Sequence, residues 1–274
     1  MGKKEKTRFL IVWLIITLVF LVGSFVVPSP EKTETVKVMM RDAVLHEENR
    51  CSLFGLKDVS PAMISAMVVS GILLLAALLI RIFAIPRFKM VPGKFQSAIE
   101  LLVSTFDNLA KTNSPRRNSF LGVYAFGAGV YIFVGTLFEL FGVQVMTISG
   151  HSVSLPAPLS DVNAAISLGV LSYFVIFAGG ILGNGVKGIS LGLKKFSLPL
   201  SMSFRLFGAL LSGLLVTELV YYYASLSYVL PVIVAVLFTL LHALIQSYVL
   251  TLLTTMFYGE LNAPLPKKVK PAKA

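Results

Sequence analysis

Residues 196–223 read FSLPLSMSFRLFGALLSGLLVTELVYYY, an apolar run that contains one arginine, Arg205, and one glutamate, Glu218. A helix needs about 20 apolar residues to cross the hydrocarbon core of a bilayer, so this run is long enough to span it. Lipid offers no hydrogen bonds to the backbone, and nothing in the run alternates as a barrel strand does, so a helix is expected. The run therefore predicts a transmembrane helix that carries two charged side chains.

The chain as a whole has the same apolar character. Its 274 residues are 56% hydrophobic and 14% charged, and the mean hydropathy is +0.83. A soluble domain carries about 25% charged residues, so this composition excludes a cytosolic enzyme, a secreted disulfide scaffold and a disordered chain. Cys51 is the single cysteine, which excludes an internal disulfide. We predict an all-α integral membrane protein with six spanning stretches, at 9–27, 62–80, 119–138, 162–186, 196–223 and 229–258.

The basic residues outside these stretches predict the topology. If all six stretches cross, the N-terminal tail, 81–118, 187–195 and the C-terminal tail share one side and hold 18 of the 24 Lys and Arg. Segment 28–61 has five, offset by six acidic residues. The positive-inside rule then predicts that both termini are cytoplasmic. The predicted divisions are an N-terminal transmembrane helix, an extracytoplasmic segment, a membrane domain and a basic cytoplasmic tail, at 1–27, 28–61, 62–258 and 259–274.

The first apolar stretch and the segment from Lys94 onward differ from the other predicted helices. The first stretch follows a basic tip as a signal peptide does, but it is long for one and Val27-Pro28-Ser29 is a poor cleavage site, so we favour a retained helix. From Lys94 onward, apolar residues recur at spacings of three and four, with polar residues on the other faces. This pattern predicts an amphipathic helix that lies at the cytoplasmic interface without spanning the membrane.

Arg205 is the most informative polar residue inside a predicted span. An ionisable group in the hydrocarbon costs about 2.5–3.5 kcal/mol on insertion scales, and a guanidinium cannot lose its proton to avoid that cost. Depth alone leaves open that Arg205 snorkels to the headgroups. On a helical wheel, however, Ser201, Ala209 and Ser212 lie on the same side, with Gly208 nearby. Such a stripe of small residues lets another helix approach the arginine closely.

Further polar side chains in or beside the spans are candidates for a polar pathway. Gln246 and His242 share one helical face. Each is either a hydrogen-bonded contact within the helix bundle or a functional group. Glu218 lies well inside its span without a local cationic partner, so its carboxylate must be protonated or reach water. Other candidates stand at span ends, where they serve either as caps or as part of the pathway, and they are Glu139, Asp161 and Asn163.

Sequence motifs give no support for catalysis or nucleic-acid binding. The chain has no phosphate-cradling loop, no zinc motif and no nucleophile elbow, and its three histidines are scattered. The net charge is +11, but nearly all basic residues lie in tails and loops, which is an orientation signal. We therefore expect a non-catalytic membrane protein without a cofactor, a metal or a nucleic-acid partner.

Several blocks of the sequence resemble the a subunit of bacterial F-type ATP synthases. The most specific is Ser203-Phe204-Arg205-Leu206-Phe207-Gly208 followed by Gly213, which is similar to the family's RLFGN pattern and the glycine after it. The supporting blocks are QSYVLTLLT at 246–254, VPGKFQ with AIEL at 91–101, and DVN at 161–163. Together these blocks extend the resemblance over about residues 60–260.

The resemblance implies a stator subunit in the bacterial inner membrane that carries protons or sodium ions to and from a rotating c-subunit ring. The last two spans are implied to form a tilted hairpin against the ring. Arg205 is implied to face the essential carboxylate of each passing c subunit, with Gln246 lining the same contact. The implied contact stripe comprises Ser201, Gly208, Ala209 and Ser212. The other implied partners are the b subunit of the peripheral stalk, the remaining ATP synthase subunits and membrane lipid.

The sequence departs from the family pattern where the outer half-channel is expected. The family places Glu or His nine residues after its arginine and seven before its glutamine, and here those positions hold Leu214 and Thr239. We expect the nearest ionisable residues, Glu218 and His242, to replace them. Glu218 and His242 each lie about one turn away from the family positions. In an antiparallel hairpin these two displacements lead to opposite depths in the membrane, so water is expected to bridge the pair. The expected mouth of the half-channel comprises Glu139, His151 and Asp161, with Asn163 beside them.

The inner half-channel is less well specified, and two other functions remain as alternatives. Leu191 stands where the family often has a carboxylate, so the weak inner candidates are Lys194, Lys195 and Ser201. One alternative function is a secondary transporter that binds an anionic substrate at Arg205, although the chain shows no internal repeat. The other is a membrane anchor without a transport role.

Overall fold

The computed structural model describes residues 3–26, 35–38, 41, 51–53, 56–116, 119–146, 152–222 and 235–264. Helices dominate these ranges. In chain order they are α1 (Lys3–Val26), α2 (Pro61–Leu79), α3 (Lys94–Asn113), α4 (Ser119–Leu140), α5 (Val162–Asn184), α6 (Val186–Lys194), α7 (Ser197–Tyr222) and α8 (Leu241–Asn262).

Short irregular elements extend or join these helices. A π-helical turn, Ile80–Ala84, and a 3-10 turn, Ile85–Arg87, prolong α2, and another π-helical turn, Ala235–Leu240, leads into α8. A 3-10 turn, Pro158–Ser160, precedes α5. Two antiparallel hairpins lie in the connections, and they pair β1 (Cys51–Leu53) with β2 (Leu56–Val59) and β3 (Gln144–Met146) with β4 (Ser152–Ser154).

Within the ranges that the structure describes, five helical segments are long and apolar enough to cross a membrane, and a shorter apolar helix, Thr7–Val19, lies within α1. The five are Pro61–Arg87, Ser119–Leu140, Val162–Asn184, Ser197–Val216 and Val236–Asn262. This confirms the predicted class, an all-α integral membrane protein that passes through the membrane several times. The beginning of the sixth predicted span, 229–234, lies outside the described residues.

The connection after α5 differs from the sequence prediction. Residues 187–195 were expected to form a plain link, but α5 ends at Asn184 and a second helix, α6, follows at once. Gly185 makes this break possible, because its φ of 58° lies in the left-handed region that favours glycine. α6 then folds back on α5, and an added Cβ at Gly188 would collide with the carbonyl group of Gly180.

The core of the bundle lies where α4, α5, α7 and α8 meet. One fully buried side chain from each of these helices takes part, namely Ile132, Ile176, Leu206 and Leu250. Lipid is as apolar as these side chains, so close packing and hydrogen bonds between helices must hold the bundle together. The carbonyl oxygen of Gly129 on α4 accepts such a hydrogen bond from Ser247 Oγ on α8, at 2.8 Å.

The predicted amphipathic helix is present as α3 and begins at Lys94 as expected. Its last turn is fixed to the end of α8. Asn113 Nδ2 donates to Thr255 Oγ1 at 3.0 Å, and Asn262 Nδ2 of α8 donates to the carbonyl oxygen of Arg116 at 2.7 Å. Gly259 of α8 lies directly against the backbone of Asn113, so the two helices approach as closely as their backbones allow. We call this contact the α3–α8 seam.

Candidate functional site

Arg205 lies on an uncovered face of α7. It follows the first residue of the helix by eight positions, which places it about 12 Å along the axis and near the middle of the span. Its side chain is exposed. Within the described part of the chain, Arg205 forms no ion pair. A permanent positive charge therefore stands inside a spanning segment without a described counter-charge.

Small residues flank Arg205 on the same face. Ser201, Gly208 and Ser212 are exposed beside it, and a Cβ added at Gly208 would meet no atom within 4 Å. We call Ser201, Arg205, Gly208 and Ser212 the α7 strip. Ala209, which the sequence placed in the same stripe, is half-buried and turns toward the interior. The α7 strip thus leaves room for a helix from another molecule to approach the guanidinium.

Packing on the opposite face of α7 fixes this orientation. Met202, Leu206 and Leu210 are buried against the rest of the bundle, and Leu206 is only 1% exposed. Ser203 sits against Gly169 of α5, where an added Cβ would strike Ser203 Oγ and lie 3.0 Å from the carbonyl oxygen of Pro199. Because α5 and α7 fit together so closely, α7 cannot rotate Arg205 inward without losing this contact.

Gln246 lies on the inner side of α8. It is 6% exposed, and its Oε1 accepts no hydrogen bond from the described residues. A buried acceptor without a partner lowers the free energy of unfolding by about 1–3 kcal/mol, so Oε1 does not stabilise the bundle through an interhelical hydrogen bond. Its burial also places Oε1 inside the bundle, away from the exposed α7 strip that was expected to share its contact.

Glu139 and His242 line one small cavity. The volume that the centre of a water molecule can occupy in this cavity is about 10 Å³, so the cavity has room for roughly one water. It is bounded by α4, α7, α8 and the π-helical turn before α8. Its lining comprises Thr136, Glu139, Ala209, Leu210, Gly213, Phe238, Thr239 and His242.

The π-helical turn holds the imidazole of His242 in place. His242 Nδ1 lies 2.6 Å from the carbonyl oxygen of Phe238, and the two rings stack with centroids 5.8 Å apart. A carbonyl oxygen can only accept, so Nδ1 carries the hydrogen and Nε2 is the acceptor in the neutral ring. The geometry therefore leaves Nε2 as the ring atom that can accept a hydrogen bond.

Asp161 and Asn163 lie at the first turn of α5. Asp161 caps the helix, because its Oδ1 accepts from the backbone N–H of Asn163 at 2.7 Å. Its Oδ2 accepts from Ser60 Oγ at 3.0 Å, which ties the start of α5 to the start of α2. The side chain of Asn163 is exposed. The structure thus shows a capping function for Asp161, away from the lining of the Glu139 cavity.

Two expected members of the outer pathway are not fully described. The backbone of Glu218 belongs to α7, five residues beyond Gly213 and so about 7.5 Å further along the axis, but its side chain lies outside the described residues. His151 also lies outside them. The structure therefore brings His242 together with Glu139 and leaves the proposed pairing with Glu218 untested.

The weak candidates for the inner half-channel differ in their contacts. Lys194 is exposed. Lys195 Nζ forms an ion pair with Glu260 Oε1 at 2.8 Å and lies 5.3 Å from the centroid of the Phe257 ring. Lys195 thereby ties the end of α6 to α8, which is a structural contact.

Sequence reasoning missed several residues around the cavity, Leu210 among them. Thr136 and Gly213 contribute to its wall, and Phe238 holds His242. The spacing of four between Phe238 and His242 places both on one helical face, which was a usable signal. Nothing in the sequence indicated the π-helical turn that brings Thr239 to the same cavity.

The long apolar helices, with polar side chains gathered between them, define a multi-pass helical membrane protein. Within one of these helices, Arg205 is exposed and forms no ion pair with the described residues. A family model described as ATP synthase A chain matches residues 63–259, which is most of the chain. The chain belongs to this family, and it is a membrane-sector subunit of ATP synthase that works with other subunits of that enzyme.

Proposed function

We propose that the chain is the ion-translocating stator subunit of the membrane sector and is not itself a catalyst. The observation that carries this proposal is Arg205, a fixed positive charge on the uncovered α7 strip without an ion pair in the described structure. A charge in hydrocarbon needs a counter-charge. An acidic residue of another membrane subunit that passes along the strip supplies one.

The electrostatics of such a contact favour coupling between ion flow and rotation. A neutral carboxylic acid can move through lipid, whereas a charged carboxylate cannot do so cheaply. A guanidinium about 4 Å away at an effective dielectric of 20 stabilises the carboxylate by roughly 4 kcal/mol, which corresponds to about three pKa units. Each ring carboxylate therefore loses its proton at Arg205 and must regain one before it re-enters lipid.

We assign the cavity between Glu139 and His242 to the outer half-channel. Glu139 offers a carboxylate, His242 offers Nε2 as an acceptor, and the cavity has room for about one water between the helices. Glu218 extends this route along α7, with Asp161, Asn163 and His151 at its entrance. Ser201 with Lys194 remains our assignment for the inner side. Arg205 separates the two routes, so ions must travel round the ring.

The partners and the topology complete the proposal. The c-subunit ring lies against the α7 strip, whereas Ala209 and Gln246, which the resemblance assigned to the same contact, are half-buried and buried inside the bundle. The b subunit of the peripheral stalk holds the chain against the torque of the ring. The chain lies in the bacterial inner membrane with both termini in the cytoplasm, and either protons or sodium ions are carried.

Arg205 variants test this proposal in inverted vesicles that contain the assembled complex. ATP-driven ion pumping should be lost in Arg205→Ala and strongly reduced in Arg205→Lys, because a lysine held away from water in the membrane can lose its proton. Arg116→Ala serves as the control, since Arg116 is an exposed arginine outside the spans. Immunoblots of the purified complex check assembly. Wild-type pumping by an assembled Arg205→Ala complex would contradict the proposal and reopen the transporter and anchor alternatives.

A further inference from the structure

A groove of about 680 Å³ lies where α2 ends and α3 begins. The π-helical turn and the 3-10 turn carry the chain out of α2, and the backbone then bends at Met90 and Val91 before α3 starts at Lys94. Residues from both sides of this corner line the groove, between Phe83 and Gln96. It is distinct from the Glu139 cavity and shares no residue with it.

The walls of the groove are of two kinds. Three basic side chains, Arg87, Lys89 and Lys94, line it and are exposed, and none of its described lining residues is acidic. The remaining wall is apolar, with Phe83 57% exposed and Phe95 60% exposed. A ligand that fits must therefore carry a negative charge at one end and an apolar part at the other.

Gln96 holds the corner in shape. Its Oε1 accepts from the backbone N–H of Lys89 at 3.0 Å, and its Nε2 donates to the carbonyl oxygen of the same residue at 2.9 Å. Nε2 also donates to Glu100 Oε1 at 2.7 Å, which engages the nearest acidic side chain outside the groove. The three positive charges are thus presented from a braced turn.

We propose that this groove binds the phosphate headgroup of an anionic phospholipid. The groove sits at the end of a membrane span, where headgroups lie, and basic side chains near a span end attract anionic lipids. The phosphate contacts Arg87, Lys89 and Lys94, while an acyl chain follows Phe83 along α2. Free phosphate matches the charges but leaves the apolar wall unused. The site stands apart from Arg205, so it does not depend on the proposed ion pathway.

Lipid retention by the assembled complex tests the proposal. The complex is reconstituted into nanodiscs of equal parts phosphatidylglycerol and phosphatidylcholine, and native mass spectrometry counts the lipids that remain after detergent release. We expect phosphatidylglycerol to be retained selectively. Each charge contributes about 1 kcal/mol near an anionic surface, so each of Arg87→Gln, Lys89→Gln and Lys94→Gln should weaken retention about fivefold.

Two matched variants separate this site from general charge effects. The triple variant Arg116→Gln, Lys187→Gln, Lys194→Gln removes the same number of exposed positive charges elsewhere and should retain the lipid. Exchanging Arg87 for Lys and Lys89 and Lys94 for Arg keeps the charges and should also retain it. Equal loss in the control triple variant would overturn the proposal, as would displacement of the lipid by inorganic phosphate at millimolar concentration. Protection of the groove by a stalk polypeptide in place of lipid would overturn it as well.

Discussion

Replacing Gly259 with alanine should break the α3–α8 seam. The added methyl group would collide with the carbonyl oxygen of Asn113, lie 2.9 Å from its carbonyl carbon and lie 3.4 Å from the Cα of Ser114. These are backbone atoms that cannot rotate away, so the ends of α3 and α8 must move apart. The hydrogen bond from Asn113 Nδ2 to Thr255 Oγ1 spans the same seam and should weaken with it.

The magnitude follows from a comparison with Gly127 of α4. Both substitutions gain about 0.5–1 kcal/mol, because alanine has less backbone freedom to lose in a helix. A Cβ at Gly127 meets no atom within 4 Å, so Gly127→Ala should show only this gain. Gly259→Ala adds the cost of overpacking, about 1–3 kcal/mol. The two variants should therefore differ in the free energy of unfolding by about 1–3 kcal/mol.

Both variants can be measured on the purified chain in mixed micelles. SDS titration followed by far-ultraviolet circular dichroism gives the free energy of unfolding for each. Gly127→Ala controls for the change in helix propensity, since the chemical substitution is the same. Equal unfolding free energies, or a more stable Gly259→Ala, would refute the close approach of α3 and α8.

Three further predictions concern the polar side chains. Gln246→Leu should leave the free energy of unfolding unchanged or raise it by about 1 kcal/mol in the same SDS titration, because Oε1 has no described partner. The same variant should lower ATP-driven pumping. A marked loss of stability would restore the structural interpretation of Gln246. Asp161→Asn should retain the helix cap and the unfolding free energy, whereas Asp161→Ala should lose about 1 kcal/mol; equal stabilities would contradict the capping geometry. Glu139→Gln and Glu218→Gln should each reduce pumping by about tenfold or more; if both assembled complexes pump normally, the outer half-channel lies elsewhere.

Much of the fold was predictable from hydrophobic length alone. Uninterrupted apolar runs identified the five segments that the structure shows as candidate spans, and the period of the apolar residues identified α3 from its first residue, Lys94. The helix α6 was missed because residues 187–195 are short, basic and rich in glycine, which is equally typical of a loop. Its packing on α5 brings the backbones of Gly180 and Gly188 together, and no local pattern encodes that contact.

The candidate site was predictable only within single helices. Helical spacing placed Arg205 with Ser201 and Ser212, and the structure keeps them together on one exposed face. Spacing could not tell which helices become neighbours, so the meeting of Glu139 on α4 with His242 on α8 was not foreseen as a pair. The π-helical turn before α8 also shifts the register of the residues that follow it, which no regular period can reveal.

The position of α8 in the chain has a consequence for biosynthesis. α8 packs against α3, α4 and α5, all of which are synthesised earlier. Until α8 arrives, the Asn113 side chain and the Gly129 carbonyl oxygen lack the partners that they have in the finished protein. A nascent chain that ends before α8 therefore lacks these two contacts, and the face of α4 at Gly129 that α8 covers stays open. Such incomplete chains should be recognisable to membrane proteases, so that only chains extending through α8 persist for assembly.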